Sequence, residues 1–224
     1  YFTKAELALW ICSVALIVTA FCIWDSVNFL TLVASLIGVT SLIFCAKGNP
    51  VGQVLIIIFA VLYGIISWMV AYYGEMITYV GMTAPMAVYA LIVWLKNPFA
   101  GKRAEVKVNR LRAREYIIMA LIAAAVTVAF YFILEAFHTA NLIPSTISVT
   151  TSFVAVYLTA RRSPFYALAY AANDIVLIVL WSMAAAADPS CLSVVICFCV
   201  FLVNDLYGFV NWMRMQRRQA RAEA

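Results

Sequence analysis

Residues 191–213 read CLSVVICFCVFLVNDLYGFVNWM, and this stretch decides the fold class of the chain. It is apolar along most of its length and contains a single charged residue, Asp205. About 20 residues of this kind form a helix that crosses about 30 Å of hydrocarbon. We therefore expect residues 191–213 to form a transmembrane helix.

Seven further runs of the same kind precede it, and short polar or turn-forming groups separate most of them. The eight predicted spans are 7–24, 28–46, 51–73, 76–95, 116–137, 144–160, 165–186 and 191–213. The composition agrees, since 67% of the 224 residues are apolar and 11% are charged, whereas about 25% are charged in soluble proteins. We therefore expect an all-α integral membrane protein with eight transmembrane helices in a lipid bilayer. The same composition excludes a cytosolic enzyme, a disulfide scaffold and a nucleic-acid binder.

Lysine and arginine indicate which ends of the spans face the cytoplasm. All fifteen of these residues fall in five segments, which are 1–6, 47–50, 96–115, 161–164 and 214–224. Basic segments stay on the cytoplasmic side of a membrane, so we expect both termini there. The stretch 102–114 could instead bind nucleic acid, but it lacks interleaved aromatic residues and fits a topology signal that touches anionic lipid.

The chain contains two similar halves. Residues 46–50 (AKGNP) match residues 160–164 (ARRSP), and each motif ends one span and opens the next with proline. Further matched pairs are Trp68 with Trp181, Tyr89 with Tyr207, and Trp94 with Trp212. Because matched spans run in the same direction, we expect a parallel repeat whose axis lies along the bilayer normal, with a site on that axis. The predicted organisation is an extra N-terminal transmembrane helix (1–27), a first three-helix repeat (28–95), a cytoplasmic basic loop with a linker helix (96–143), a second three-helix repeat (144–213) and a basic cytoplasmic tail (214–224).

Polar residues within the spans predict where the pathway lies, because they are costly in hydrocarbon and normally face the bundle interior or a wet cavity. The candidate substrate-binding residues chosen on this basis are Trp181, Asn173, Asp174, Asn204, Tyr207, Trp68, Gln53 and Tyr63. Asp174 has a structural alternative, since a protonated carboxyl group paired with a neighbouring helix would also hold the fold. Trp94 and Trp212 lie near the ends of spans and are expected to be interfacial anchors. Pro85 is expected to kink the fourth span.

The residue types that the spans lack are equally informative. No Lys or Arg falls within a span, so the pathway offers no fixed cation for a phosphate or carboxylate and no lysine for a retinal Schiff base. The loops opposite the basic segments are expected to hold Asp25, Glu75, Glu135, His138 and Asp188. With the single histidine in a loop, neither a metal site nor a Ser-His arrangement can be assembled, and the six cysteines include no C-x-x-C pair. We therefore expect no enzyme, cofactor or metal, and a cavity suited to a flat, neutral or cationic molecule with hydroxyl groups.

The motif Asn204-Asp205-Leu206-Tyr207-Gly208, followed by Trp212, resembles the C-terminal N-x-x-Y-G-x-x-x-W pattern of the PnuC-type nicotinamide riboside transporters. Tyr73-Gly74-Glu75 with Pro85 and Trp94 is similar to the pattern in the fourth span of that family. The resemblance covers spans 2 to 8. It implies a bacterial inner-membrane protein with a SWEET-like fold, in which a linker helix joins two three-helix repeats. It also implies uptake of nicotinamide riboside, a vitamin B3 precursor for NAD biosynthesis, by facilitated diffusion.

The spacing and polarity of the candidate residues suggest a role for most of them. We expect Trp181 and Trp68 to stack on the ring of the substrate, and Asp174 to give electrostatic support. Hydrogen bonds to the substrate are expected from Asn173, Asn204, Gln53 and Tyr207. The alternatives are a carrier of a sugar or another vitamin, with or without proton coupling, and a non-transporting scaffold or receptor subunit. The sequence leaves open whether the protein forms a homo-oligomer.

Overall fold

The computed structural model describes residues 1–223, without the side chain of Lys102. This part of the chain contains eight helices that are long and apolar enough to cross a membrane, as predicted. The helices are α1 (Lys4–Trp24), α2 (Phe29–Ala46), α3 (Val51–Met69), α4 (Tyr73–Ile77), α5 (Ala84–Lys96), α6 (Ala113–Ala136), α7 (Leu142–Ala160), α8 (Phe165–Ala185) and α9 (Leu192–Ala222). Helices α4 and α5 belong to one span, Tyr73–Lys96, and a short 3₁₀ turn, Pro189–Cys191, leads into α9.

Six of the spans close into a ring. Around it, α7 packs against α8, α8 against α9, α9 against α2, α2 against α3, α3 against α5, and α5 against α7. Helix α1 packs on α9 and α2 from outside, and α6 packs on α7. Only 11% of the apolar window of α6 is buried, compared with 56% for α7, so α6 presents most of its surface to the surroundings. A polar site is therefore expected inside the ring.

The fourth span changes its winding in the middle. Between α4 and α5, residues Thr78–Thr83 form a π-helical segment, and Pro85 lies at the start of α5. Proline has no N–H for the carbonyl one turn earlier, which explains why the α-helical pattern is interrupted near this position. Near the predicted kink at Pro85, the chain thus forms a π-helical turn, which is wider than an α-helical turn. Such turns are frequent at functional sites.

The two proline motifs have the same backbone path. Gly48 and Arg162, at the same place in residues 46–50 and 160–164, both have positive φ angles, 67° and 57°. Equivalent hydrogen bonds close both turns: Asn49 N donates to Phe44 O and Ser163 N donates to Leu158 O, each at 3.0 Å. This likeness supports an internal repeat, although the 3+1+3 division of the chain stays a prediction.

The five basic segments meet at one end of the bundle, which we call the basic end. The loop after α5 contains a short antiparallel hairpin, β1 (Pro98–Phe99) and β2 (Lys102–Val106), in a chain predicted to be all-α. Val106 N donates to Gly48 O at 2.9 Å, and Asn109 N donates to Arg162 O at 3.0 Å. The loop is thereby attached to both proline turns.

Residues 214–222 of the predicted basic tail continue helix α9. The extension is held by the same loop, because the carboxylate of Glu105 pairs with Arg218 and accepts a hydrogen bond from Gln219 Nε2 at 2.7 Å. Gln219 Oε1 in turn accepts from Val108 N at 2.8 Å. These contacts explain why the basic residues of this segment lie on an ordered helix.

Candidate functional site

The helix ring encloses a cavity of about 40 Å³. Its walls come from α2, α3, the π-helical segment, α8 and α9. The lining residues are Ser41, Leu42, Cys45, Ile56, Phe59, Tyr79, Thr83, Tyr166, Tyr170, Asp174, Phe198, Phe201 and Asp205. The set combines aromatic rings, hydroxyl groups and two carboxyl groups.

Aromatic side chains make up six of the thirteen residues that line the cavity. Phe59 lies edge-on to Phe201, with 5.5 Å between ring centroids, and Phe198 lies edge-on to Phe201 at 5.6 Å. Tyr166 and Tyr170, both on α8, have ring centroids 6.2 Å apart. Faces of such rings attract positive charge, so this wall suits a planar or cationic ligand.

Two carboxyl groups lie in the same wall. Asp174 on α8 and Asp205 on the adjacent helix α9 both line the cavity, and each is 4% exposed. Oδ2 of Asp174 is buried and has no partner within the described part of the chain. Asp174 is one of the predicted site residues, and the structure places it directly at the cavity. No group of three or more His, Cys, Asp and Glu side chains within residues 1–223 could hold a metal ion.

Trp181 and Tyr63, both predicted site residues, meet farther from the basic end. Trp181 is fully buried, and its Nε1 donates to Tyr63 Oη at 2.5 Å. Tyr72 approaches the indole with 5.3 Å between ring centroids, and Tyr79 approaches Tyr63 at 4.4 Å. Because Tyr79 also lines the cavity, this aromatic cluster continues from the cavity wall.

Asn173 is buried but contacts α7 rather than the cavity. Its Oδ1 accepts hydrogen bonds from Thr151 at 2.7 Å, from Ser152 at 3.0 Å and from Ser148 at 3.4 Å. Three hydroxyl groups of one helix therefore converge on one amide oxygen of the next. This arrangement joins α7 to α8 beside the aromatic cluster.

Three other predicted residues are bonded within the protein, away from the cavity. Asn204 donates from Nδ2 to Ser13 Oγ on α1 at 2.9 Å and to the backbone of its own helix. Tyr207 Oη donates to Glu6 Oε1 on α1 at 2.9 Å. Gln53 Nε2 approaches Cys45 Sγ at 3.4 Å, behind the cavity wall. None of the three side chains lines the cavity as the structure describes it.

Trp68 lies outside the ring, and its expected stacking role has to be corrected. The side chain is 61% exposed and lines a shallow apolar groove on the outer surface with Met76 and Val80. Its neighbour Ser67 is fully buried. Successive residues of a helix are rotated by about 100° around its axis. Matching Trp68 to Trp181 therefore placed the side chain of Trp68 on the wrong face of α3. When the proline turns are superposed in register, Ser67 is the counterpart of Trp181.

Trp94 and Trp212 also differ from the expectation, because they are buried rather than interfacial. They are 1% and 0% exposed. Trp94 Nε1 donates to Thr159 O at 2.9 Å, and Trp212 Nε1 donates to Cys45 O at 2.8 Å. Each indole thus connects the last span of one predicted repeat to the first span of the other by a hydrogen bond. The two carbonyl groups that accept these bonds lie at equivalent positions, just before the proline turns.

Glu75 was expected in a loop but lies inside the protein. It is fully buried in α4, and neither of its carboxylate oxygens has a hydrogen-bond partner among the described residues. Gly74 before it packs closely, since a Cβ there would approach Leu134 Cδ2 at 2.9 Å. In the sequence, the apolar run of the fourth span follows Glu75 without a polar break. This continuity indicates that the fourth span includes Glu75.

Known proteins resemble this chain in sequence and in fold. Residues 28–214 match the family model described as nicotinamide mononucleotide transporter. The chain is similar to the nicotinamide riboside transporter PnuC of Neisseria mucosa, with 26% identity over 200 residues, which cover 86% of this chain and 75% of that protein. It is also similar to the protein of the same name from Haemophilus influenzae, with 21% identity over 192 residues, 85% of this chain and 82% of that one.

The fold has a close counterpart among solved structures. The crystal structure of the vitamin B3 transporter PnuC matches with a TM-score of 0.86 and 22% identity, over 98% of this chain and 94% of that chain. This match confirms the predicted fold class, a multi-pass bundle of membrane-spanning helices. Together with the family match, it identifies the protein as a membrane transporter. The chain belongs to the nicotinamide mononucleotide transporter family.

Proposed function

We propose that this transporter takes up nicotinamide riboside by facilitated diffusion through the central cavity. The observation that carries the proposal is the chemistry of the cavity wall. Among the described residues, those that line it provide aromatic rings, hydroxyl groups and two carboxyl groups, but no lysine or arginine. Nicotinamide riboside offers the complementary groups: a cationic pyridinium ring and a hydroxyl-bearing ribose.

The cavity wall also favours the riboside over the mononucleotide. The family description names the mononucleotide, whereas the relatives from Neisseria and Haemophilus are named for the riboside, and the two compounds differ by a phosphate. A phosphate monoester carries about −1.5 to −2 charges at neutral pH. Asp174 and Asp205 would oppose such a group, and the wall has no cation to balance it. The riboside is therefore the cargo that the site can accept.

Transport requires the cavity to expand. A volume of about 40 Å³ holds little more than one water molecule, whereas pockets for small ligands measure about 300–1,000 Å³. The predicted repeats, 28–95 and 144–213, touch where α9 meets α2 and where α5 meets α7. Rocking of one repeat against the other would separate the aromatic walls and open the site to each side in turn.

The proposed substrate-binding set follows the placement of the side chains. Asp174 lines the cavity, and Trp181 and Tyr63 form the adjacent aromatic cluster. Asn173, Asn204, Tyr207 and Gln53 remain in the proposal as residues that an expanded cavity could expose. Trp68 is left out because of its position on the outer surface.

The proposed location is a bacterial inner membrane, with both termini in the cytoplasm. The meeting of all five basic segments at one end of the bundle supports this orientation, since basic residues remain on the cytoplasmic side. A reporter fused to the C-terminus that is active only in the periplasm checks the orientation. It should stay silent in intact cells, and a periplasmic signal would reverse the assignment.

The test of function is uptake by the purified protein in proteoliposomes. Labelled nicotinamide riboside should enter down its gradient, unlabelled riboside should compete, and the mononucleotide should not. Uptake should also be the same with and without an imposed proton gradient. Empty liposomes provide the control. Absence of protein-dependent uptake, or equal competition by the mononucleotide, would overturn the proposal.

A further inference from the structure

We propose that Asp174 and Asp205 act as one unit that shares a single proton and selects a singly positive cargo over an uncharged molecule of the same shape. The inference rests on the proposed function and refines it. It assigns charge selection to a pair of residues, one of which, Asp205, is outside the predicted site.

The geometry places both carboxyl groups where cargo must pass. Each lines the internal cavity and each is 4% exposed, one on α8 and the other on α9, which packs against it. Two carboxyl groups that line one cavity of about 40 Å³ are close enough to interact, and close carboxyl groups with no cation beside them hold one proton in common. Oδ2 of Asp174 is left without a partner in the described part of the chain, although it is almost completely buried. An unpaired buried acceptor of this kind is the group to which a cation would bind.

The surroundings of the pair contain no compensating positive charge. The four ion pairs formed by the described residues use the carboxylates of Glu6, Glu105, Glu115 and Glu223, and none uses Asp174 or Asp205. The polar groups that share the cavity with the pair are uncharged at neutral pH. They are Ser41 and Cys45 from α2, Tyr79 and Thr83 from the π-helical segment, and Tyr166 and Tyr170 from α8.

The charge of the pair follows from this environment. Two ionised carboxylates in one small buried cavity, with no cation in its wall, would repel strongly in a medium of low dielectric constant. Two neutral carboxyl groups would give no attraction to a cation. One shared proton leaves a single negative charge, which a monocation can neutralise and which an uncharged ligand leaves exposed in the membrane interior. The pair should therefore prefer a pyridinium cation to a neutral ring of the same size.

The reduced form of nicotinamide riboside provides the matched probe, because its dihydropyridine ring is uncharged and nearly the same shape. We expect the reduced form to compete with labelled riboside at least about tenfold more weakly than unlabelled riboside does, a free-energy difference of about 1.4 kcal/mol. Equal competition by the two compounds would overturn the inference. This comparison needs only the unmodified protein, so it does not depend on the folding of a variant.

Substitution then assigns the selectivity to the pair. Asp174→Asn and Asp205→Asn should each bring the competition ratio of the two compounds close to one. Asp188→Asn is the control, because this carboxylate lies in the exposed turn before α9 and its loss should leave both uptake and ratio unchanged. If both variants still transport riboside and both keep the competition ratio of the unmodified protein, the assignment is wrong.

The outcomes separate this inference from the proposed function. If the unmodified protein transports no riboside, the function itself is wrong. If it transports the charged and uncharged forms equally, the function stands and the role of the carboxyl pair is wrong.

Discussion

Trp181 Nε1 donates a hydrogen bond of 2.5 Å to Tyr63 Oη and thereby joins α8 to α3 across the helix ring. The two side chains are 0% and 2% exposed. They belong to different predicted repeats, so a rocking motion would act directly on this contact. Its position next to the cavity makes it a good test of where the substrate ring binds.

Trp181→Phe should reduce both stability and riboside uptake. The change leaves Tyr63 Oη buried without its donor, which should lower the free energy of unfolding by about 1–3 kcal/mol. Thermal unfolding in detergent and uptake in proteoliposomes measure the two effects. Trp68→Phe is the matched control, since Trp68 is 61% exposed and neither quantity should change. If both variants behave alike, the cluster has no special role.

Trp94→Phe and Trp212→Phe should destabilise the protein without changing the KM for riboside. Each indole donates to a backbone carbonyl, of Thr159 or of Cys45, at a contact between the two predicted repeats. Loss of either buried bond should lower the free energy of unfolding by about 1–3 kcal/mol. Tyr89→Phe, at an exposed aromatic residue, is the control and should change neither. A large rise in KM with unchanged thermal stability would place these tryptophans in the binding site instead.

Tyr207→Phe and Glu6→Gln should show strongly coupled effects on stability. Tyr207 Oη donates to Glu6 Oε1, and the same carboxylate pairs with Lys47 at 3.2 Å. A double-mutant cycle should give an interaction energy of about 0.5–3 kcal/mol, as for side chains in one hydrogen-bond network. If Tyr207 also contacts riboside in an expanded cavity, Tyr207→Phe should raise the KM even in the Glu6→Gln background. No such rise would limit Tyr207 to anchoring α1.

Gly38→Ala should impair transport through a packing effect on the cavity wall. A Cβ at residue 38 would overlap Cζ of Phe201, and that ring lines the cavity. Displacing the ring should destabilise the protein by about 1–3 kcal/mol and reduce the rate of uptake. Gly81→Ala tests the specificity of the effect, because the nearest atom to a Cβ there is 3.9 Å away. Equal losses in both variants would point to a general sensitivity of glycine positions.

The candidate site was only partly predictable from helical spacing. Tyr63 was predicted to belong to the site, and it is buried in the aromatic cluster next to the cavity. The same reasoning failed for Trp68, because an error of one residue in the alignment rotates a side chain to the opposite environment. Tyr79 escaped notice because it lies in the π-helical segment, where the ordinary helical period does not apply.

The sequence by itself determined the membrane class, the number of spans and the segregation of all fifteen basic residues into five segments. These properties depend on composition and order along the chain. Hydrocarbon excludes charged residues whichever face of a helix they lie on. Only the tertiary structure decided which member of each Asn-Asp pair reaches the cavity. Asn173 and Asn204 are turned toward hydroxyl groups on α7 and α1, while Asp174 and Asp205 line the cavity. The physical reason is that all four side chains are buried, so their roles depend on the partners that neighbouring helices bring to them.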